Sequence, residues 1–428
     1  MLRGLLPTTT RATRCLPAYR VLARGFAAGA APPVTLALHN GESAQFSHVW
    51  LRDHCPCPAC VHPSHRQKMH STGAIPLDVR PERVEIVHNT ADSSSEVLEV
   101  VWSKDLATRA GQHTSRYPLS MLRQAPNATH WRRNDWLEEP LFWRADQVDF
   151  KQLWVDYNGV AQSTPGNGAT DGLRRALHLL ARYGLCFLRN VPTELTKVET
   201  VASHFGPVRE TFYGRSWDVR SVPQAKNIAY TDVDLDLHMD LLYFESPPGL
   251  QLLHCLANSV TGGSSVFADS YRAALELRQR SPEDFEVLRS VPVTFHYKND
   301  GHHMKFRRPT IIAADDDATF SAPGTIGHLA QNSPLMVNYA PPFQGALEVA
   351  DVQTQRAFYR AFVHFESILM DPAMRIEYTL QEGECVIFAN RRVLHGRRAF
   401  DASSGHRHLR GTYVDLDAFQ DRHRVAFA

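Results

Sequence analysis

The sequence predicts a mainly β protein with flanking helices, a sandwich or barrel of sheets behind a smaller β-rich N-terminal unit. Three observations support this. Short apolar runs bounded by turn residues recur along most of the chain. Few stretches show helical periodicity, chiefly Asp171–Tyr183 and Val352–Met370. The regular alternation of helix and strand that a doubly wound sheet requires is missing. No internal repeat, low-complexity tract or phosphate-binding glycine loop is evident. Thr261-Gly262-Gly263-Ser264-Ser265 lacks the lysine and spacing of a P-loop.

The 428 residues are 43% apolar and 21% charged, as in ordinary globular proteins, and suggest two or three domains. Lys and Arg (46) nearly balance Asp and Glu (45), which gives no support to nucleic-acid binding or a polybasic membrane contact. No run of 18 apolar residues suggests a membrane span. Residues 1–41 hold five arginines (Arg3, Arg11, Arg14, Arg20, Arg24) and no acid. Such a start reads as a mitochondrial presequence over residues 1–30, implying the matrix; without it the cytoplasm is the alternative. With those five arginines removed, 41 basic residues face 45 acidic ones, so the positive sign belongs to the leader.

Residues 34–125 read as the small β-rich unit, with strands expected at Val34–Leu38, Ala44–Leu51, Arg83–His88 and Val97–Trp102. Within it, Cys55-Pro56-Cys57-Pro58-Ala59-Cys60 brings three thiols close enough to share a tetrahedral zinc. His54, His62, His65, His70 and His113 are all candidates for the fourth ligand. A Cys57/Cys60 redox pair and unliganded thiols are the competing readings. Residues 126–160 read as a linker whose tryptophans (Trp131, Trp136, Trp143, Trp154) pack it onto its neighbour.

Residues 161–428 form the larger domain. Leu173, Ala176, Leu177, Leu180 and Ala181 share one helical face, and Gly184 fits the stop. Strands are expected at Cys186–Asn190, Gly249–Leu256, Ser265–Ala268, Pro292–Tyr297, Leu335–Tyr339 and Cys385–Ala389. Asp371-Pro372 ends the helix Val352–Met370.

His238-Met239-Asp240 is the central motif. Residues two apart on a strand face the same side, so this imidazole and carboxylate can share a metal. His395, following the strand Cys385–Ala389, supplies a third ligand. Two histidines and one carboxylate leave positions open on the metal, which suits non-haem Fe(II) activating O2. Arg407 precedes the strand-like Leu409–Leu416 and offers a planar fork for a carboxylate; Arg410 competes for that role.

A resemblance now becomes specific. It rests on Trp50-Leu51-Arg52-Asp53-His54-Cys55-Pro56-Cys57, Phe212-Tyr213-Gly214-Arg215-Ser216-Trp217, Asn227-Ile228-Ala229-Tyr230-Thr231 and His238-Met239-Asp240. The order continues through Pro248-Gly249-Leu250-Gln251-Leu252-Leu253-His254-Cys255, Thr261-Gly262-Gly263, Leu394-His395-Gly396-Arg397-Arg398 and Arg407-His408-Leu409. From about residue 40 to 420 the chain resembles the carnitine-biosynthesis oxygenases, γ-butyrobetaine dioxygenase and its relative trimethyllysine dioxygenase. The resemblance implies a double-stranded β-helix (jelly roll) with an N-terminal zinc domain, and a homodimer. It implies Fe(II) on His238, Asp240 and His395, and 2-oxoglutarate anchored by Arg407. Zinc would be held by Cys55, Cys57, Cys60 and His113, with O2 as cosubstrate and ascorbate as reductant.

The implied substrate is a small quaternary ammonium compound. It has no N–H to donate, but aromatic faces attract it by about 0.5–2 kcal/mol per contact. Tyr213, Trp217, Tyr230 and Tyr413 match the family's aromatic cage, and Asn227 a residue near the substrate carboxylate. The cysteine trio, Asn227-Ile228-Ala229-Tyr230 and Arg397-Arg398 favour γ-butyrobetaine hydroxylation at C3 to L-carnitine. The presequence favours trimethyllysine 3-hydroxylation, and Ala340-Pro341-Pro342 departs from the γ-butyrobetaine pattern, which places a second Asn near Asn338-Tyr339.

Overall fold

The computed structural model describes residues 32–37, 43–88, 96–109, 111–124, 137–163, 168–220, 231–313 and 334–428. The expected presequence, Asn227, Tyr230, Trp131 and Trp136 lie outside the described residues. The chain divides into two compact units, Met1–Trp131 and Arg132–Ala428.

In the first unit, β1 (Val34–Ala37) pairs antiparallel with β2 (Ser43–Phe46). The strand expected over Ala44–Leu51 stops at Phe46 and gives way to a helix, His48–Asp53. Ser47 is the cause: its hydroxyl accepts the Trp50 amide hydrogen and caps the helix inside the apolar run. Then β3 (Pro81–His88), β4 (Glu96–Trp102) and β5 (His113–Pro118) form an antiparallel sheet with β4 central. The strand β5 was not expected, because its buried positions are His113, Ser115 and Tyr117, which give little hydrophobic signal. Leu51, Leu98, Val100, Trp102, Tyr117 and Leu122 fill the core.

The second unit opens with β6 (Trp154–Asp156), the helix Asp171–Tyr183, β7 (Leu185–Arg189), β8 (Val208–Arg209) and β9 (Trp217–Val219). Next come β10 (Leu235–His238), β11 (Leu250–Asn258), β12 (Thr261–Gly262) and β13 (Ser265–Asp269). The helices Ser270–Arg280 and Pro282–Ser290 lead to β14 (Pro292–Asn299), β15 (His302–Pro309), β16 (Ile311–Ala313) and β17 (Pro334–Val337). The helix Val352–Met370 precedes β18 (Arg375–Tyr378), β19 (Cys385–Ala389), β20 (Val393–Arg397), β21 (Phe400–Asp401) and β22 (Arg407–Val414). The helix Leu416–Phe427 follows.

Two sheets face each other. The larger has the order β6-β7-β19-β11-β22-β8, with β9 also on β22; the smaller is β10-β20-β13-β18. The chain crosses between them repeatedly, β10 to β11 to β13 and later β18 to β19 to β20 to β22. This is the double-stranded β-helix. Phe267 on β13 closes the gap, with its ring centroid 5.8 Å from Phe187 on β7 and 5.6 Å from Phe388 on β19. The helix Asp171–Tyr183 is started by the Thr170 hydroxyl and stopped by Gly184 at φ +71°, a left-handed turn that favours glycine.

Residues 137–160, expected as part of a linker, belong to this unit instead. β6 pairs in parallel with β7, and Trp154 stacks on Phe187 at 5.0 Å. Trp143 is buried, and its indole N–H donates to the Tyr183 carbonyl at 2.8 Å. Indoles with this much apolar area bind the segment to the sheet.

Candidate active site

His238 ends β10, and its cross-strand partner is His395, in the middle of β20. His395 was expected beyond a strand and lies within one; the polar residues of Val393–Arg397 hide that strand from an apolar-run reading. Asp240 is not on the strand with His238. The Met239 amide turns to the Tyr339 carbonyl (2.9 Å), and Leu241 takes φ +59°. A leucine in the left-handed region is strained unless its neighbours hold it there. Asn390 does the holding. Its Oδ1 accepts the Asp240 amide hydrogen at 2.8 Å, and its Nδ2 donates to the Asp240 and Pro248 carbonyls at 3.0 and 3.2 Å. A bent, clamped loop therefore brings the carboxylate to the histidines; strand periodicity does not.

The ligand atoms of His238, Asp240 and His395 all lie within 4.8 Å of one another. His238 Nε2 is 3.4 Å from Asp240 Oδ1, and His395 Nε2 is 4.0 Å from Oδ2. His238 Nδ1 donates to the Asp236 carbonyl at 2.9 Å, which turns Nε2 toward the cluster. Tyr413 Oη donates to Asp240 Oδ2 at 2.7 Å. Burial alone would raise the Asp240 carboxyl, but the His238 hydrogen bond, the His395 charge and Tyr413 hold it well below the carboxylate range. Burial and then His238 push His395 down to about 3. A carboxylate beside two imidazole nitrogens fits one divalent transition metal.

Arg407 and Tyr413 lie on one face of β22, with Leu409 and Gly411 between them at the strand's period of two. Arg407 is buried, and its Nε has no hydrogen-bond partner among the described residues. Burial and then the neighbouring Arg397 charge push it down to about 10. A buried guanidinium that pairs with no carboxylate among the described residues is suited to an incoming anion. Arg410, its rival, is already engaged: it donates to Asp218 at 2.7 Å and to Ser216 Oγ at 2.9 Å.

Aromatic side chains wall one side. The Trp217 ring lies tilted by 33° against Tyr413, centroids 4.2 Å apart, and 6.3 Å from Tyr213. Gly411 makes room, since a β-carbon there would fall 2.6 Å from Trp217 Cε2 and Cζ2. Tyr213 and Tyr243 hydroxyls meet at 3.3 Å, and Tyr243 stacks on Tyr297 at 5.3 Å. Tyr243, Tyr297 and Asn390 were not anticipated. For Tyr243, its place three residues after Asp240 was the available signal.

In the first unit, the Sγ atoms of Cys55, Cys57 and Cys60 lie 3.2, 3.7 and 3.7 Å from His113 Nε2. The other candidates are placed elsewhere. His54 stacks on Trp50, His62 and His65 stack on each other, and His70 lies 3.5 Å from Asp53. Buried Arg52 pairs with Asp105 and donates to Cys60 Sγ at 3.3 Å; Asp105 Oδ2 is 3.6 Å from His113 Nδ1. Hydrogen bonding with Cys55, then His113 and Arg52, favours the Cys60 thiolate, while the Cys55 thiol is driven up. Three sulfurs and one imidazole nitrogen fit a closed, structural zinc site.

The model of the taurine catabolism dioxygenase TauD, TfdA family matches residues 155–413. That of the gamma-butyrobetaine hydroxylase-like N-terminal domain matches residues 32–123. Dioxygenase str8 of Strobilurus tenacellus is 38% identical over 395 residues, covering 89% of this chain and 85% of that protein. Gamma-butyrobetaine dioxygenase of a Pseudomonas species is 32% identical over 400 residues, covering 92% and 94%. Trimethyllysine dioxygenase of Meyerozyma guilliermondii is 29% identical over 398 residues, covering 91% and 92%.

Proposed function

The chain belongs to the TauD, TfdA family of dioxygenases, and on that premise we propose that it hydroxylates γ-butyrobetaine at C3, giving L-carnitine, with Fe(II) and 2-oxoglutarate. The observation that carries this reading is Tyr413, which bonds the Asp240 carboxylate through its hydroxyl while its ring lies against Trp217. It joins the metal-binding cluster to an aromatic wall suited to a trimethylammonium group.

Each residue then has a task. His238, Asp240 and His395 hold the iron, which when bound supplies O2 activation coupled to decarboxylation of 2-oxoglutarate. Arg407 takes the far carboxylate of 2-oxoglutarate through its planar fork. Tyr413 and Asn390 fix Asp240, one at the carboxylate and one at the backbone. Tyr213, Trp217 and Tyr413 offer faces to the substrate cation, backed by Tyr243 and Tyr297. The resemblance adds Tyr230 to this wall and places Asn227 near the substrate carboxylate. What the protein contributes is position: one C–H bond held toward the metal.

Trimethyllysine 3-hydroxylation is the alternative reading, favoured by the arginine-rich start, and Ala340 stands where γ-butyrobetaine enzymes place an Asn. Purified protein with Fe(II), 2-oxoglutarate, ascorbate and O2 should form L-carnitine, identified by mass spectrometry, from γ-butyrobetaine. Hydroxytrimethyllysine as sole product would transfer the assignment. Succinate release that neither compound accelerates would defeat both readings.

A further inference from the structure

Trp217 is carried by a strand of three residues, β9, whose one strand partner among the described residues is β22. So short a strand, held by a few ladder bonds, opens easily unless side chains secure it. The register sets Trp217 opposite Gly411, Asp218 opposite Arg410 and Val219 opposite Leu409. Opposite residues of an antiparallel pair share a face, so Trp217 lies on the Tyr413 side of β22 and Asp218 on the other. Glycine gives Trp217 no cross-strand side chain to grip, so the place of the indole is set by the backbone of β9.

That backbone is secured from the far side. Asp218 Oδ1 accepts from Arg410 Nη1 at 2.7 Å and from His408 Nε2 at 2.8 Å, and Arg220 Nη2 reaches Oδ2 at 3.3 Å. Arg410 Nη2 donates to Ser216 Oγ at 2.9 Å, and Ser216 Oγ donates to Glu199 Oε1 at 2.6 Å. Glu199, on the helix Lys197–Ser203, also accepts from Arg215 Nε at 3.2 Å. The Thr412 hydroxyl donates to the Arg215 carbonyl at 2.7 Å. Arg215, Ser216 and Asp218 are each tied to β22, while Trp217 between them faces the other way.

Fully exposed ion pairs hold little. Here the Asp218, Arg410 and His408 side chains are 34%, 20% and 12% exposed, and one carboxylate gathers three donors, which fixes the geometry. Burial alone would raise the Asp218 carboxyl, but the His408 and Arg410 bonds hold it below the usual carboxylate range, so it stays charged at neutral pH.

We propose that Asp218 and Arg410 are positioning residues for the aromatic wall: their bond, on the face of β22 turned away from the metal cluster, fixes β9 and so holds Trp217 against Tyr413. Neither touches a reacting atom. The consequence for substrate rests on the reading above, in which the wall takes a quaternary ammonium group. The bond then determines affinity for the cationic end and leaves the Arg407 anchor alone.

The test is fluorine NMR of the full chain labelled with fluorotryptophan, with Trp217→Phe assigning the Trp217 line. Beside it, the iron-loaded full chain, kept free of O2, is titrated calorimetrically with tetramethylammonium, γ-butyrobetaine and 2-oxoglutarate. Asp218→Ala and Arg410→Met should each move or broaden the Trp217 line and leave the other lines in place. Both should weaken the two cations roughly tenfold, the loss of one cation–π contact, and change 2-oxoglutarate binding less than about twofold. Asp218→Glu should bring the line and the cation affinity back toward wild type. Asp218→Asn, isosteric and uncharged, should move the same line and carries the test should alanine misfold. A Trp217 line that stays in place in the folded variants would overturn the proposal. So would equal weakening of all three ligands, the mark of a general structural loss. A line that moves as expected in a protein whose wild type binds neither cation would keep the positioning role and refute the proposed function alone.

Discussion

Replacing Asn390 by alanine isolates the clamp on the metal carboxylate. The side chain is fully buried and makes three hydrogen bonds, at 2.8, 3.0 and 3.2 Å. Alanine leaves the Asp240 amide and two carbonyls without that partner. An orphaned buried group costs about 1–3 kcal/mol, and a carbonyl tolerates the loss better than an N–H, so the sum is about 3–5 kcal/mol. Against a typical stability of about 5–15 kcal/mol that is a large loss. At about 2–4 °C per kcal/mol, the melting temperature should fall by roughly 10 °C. Leu241, no longer held at φ +59°, should relax and carry Asp240 away from the histidines. Co(II) titrated as a spectroscopic stand-in for iron should therefore bind about tenfold or more weakly, a ~1.4 kcal/mol effect. A variant that melts within about 2 °C of wild type and binds Co(II) equally well would show that the loop holds itself, and the reasoning fails.

Three further outcomes are expected. Gly411→Ala should displace the Trp217 indole and raise the substrate KM about tenfold while leaving the 2-oxoglutarate KM unchanged; steady-state kinetics in both compounds checks this, and equal changes in the two would contradict it. Arg407→Lys keeps the charge but loses the planar fork, so 2-oxoglutarate should bind roughly tenfold or more weakly by calorimetry. Stripping zinc with a chelator, or making His113→Ala, should cost the sheet β3-β4-β5 its protection in hydrogen exchange and remove one zinc per chain by elemental analysis; an unaltered exchange pattern would rule out a structural metal.

How far the sequence could be read depended on where each signal lay. The apolar strand Cys385–Ala389 and the helices Asp171–Tyr183 and Val352–Met370 were legible because periodicity, caps and stop residues agreed. β5 and β20 were not, because strands that carry His113 and His395 give up apolar positions to chemistry. The cysteine spacing announced the first metal cluster but left five histidines open; the resemblance singled out His113, and the fold brings it to the sulfurs. His238 and Asp240 were found for a partly mistaken reason, since a turn joins them. Asn390 was invisible, because its role depends on a contact between segments distant in the chain.

β22 sets a fixed interval. Arg407 and Tyr413 point the same way only because an odd number of residues separates them, and β11 pairs with the strand from Arg407 to Val414 with one register shift, between Cys255 and Ala257. A single-residue insertion or deletion between them would turn one of the two outward, parting the co-substrate anchor from the metal carboxylate's partner. Relatives that adapt to longer or shorter substrates should therefore vary the loops over the sheet and leave the length of this strand alone.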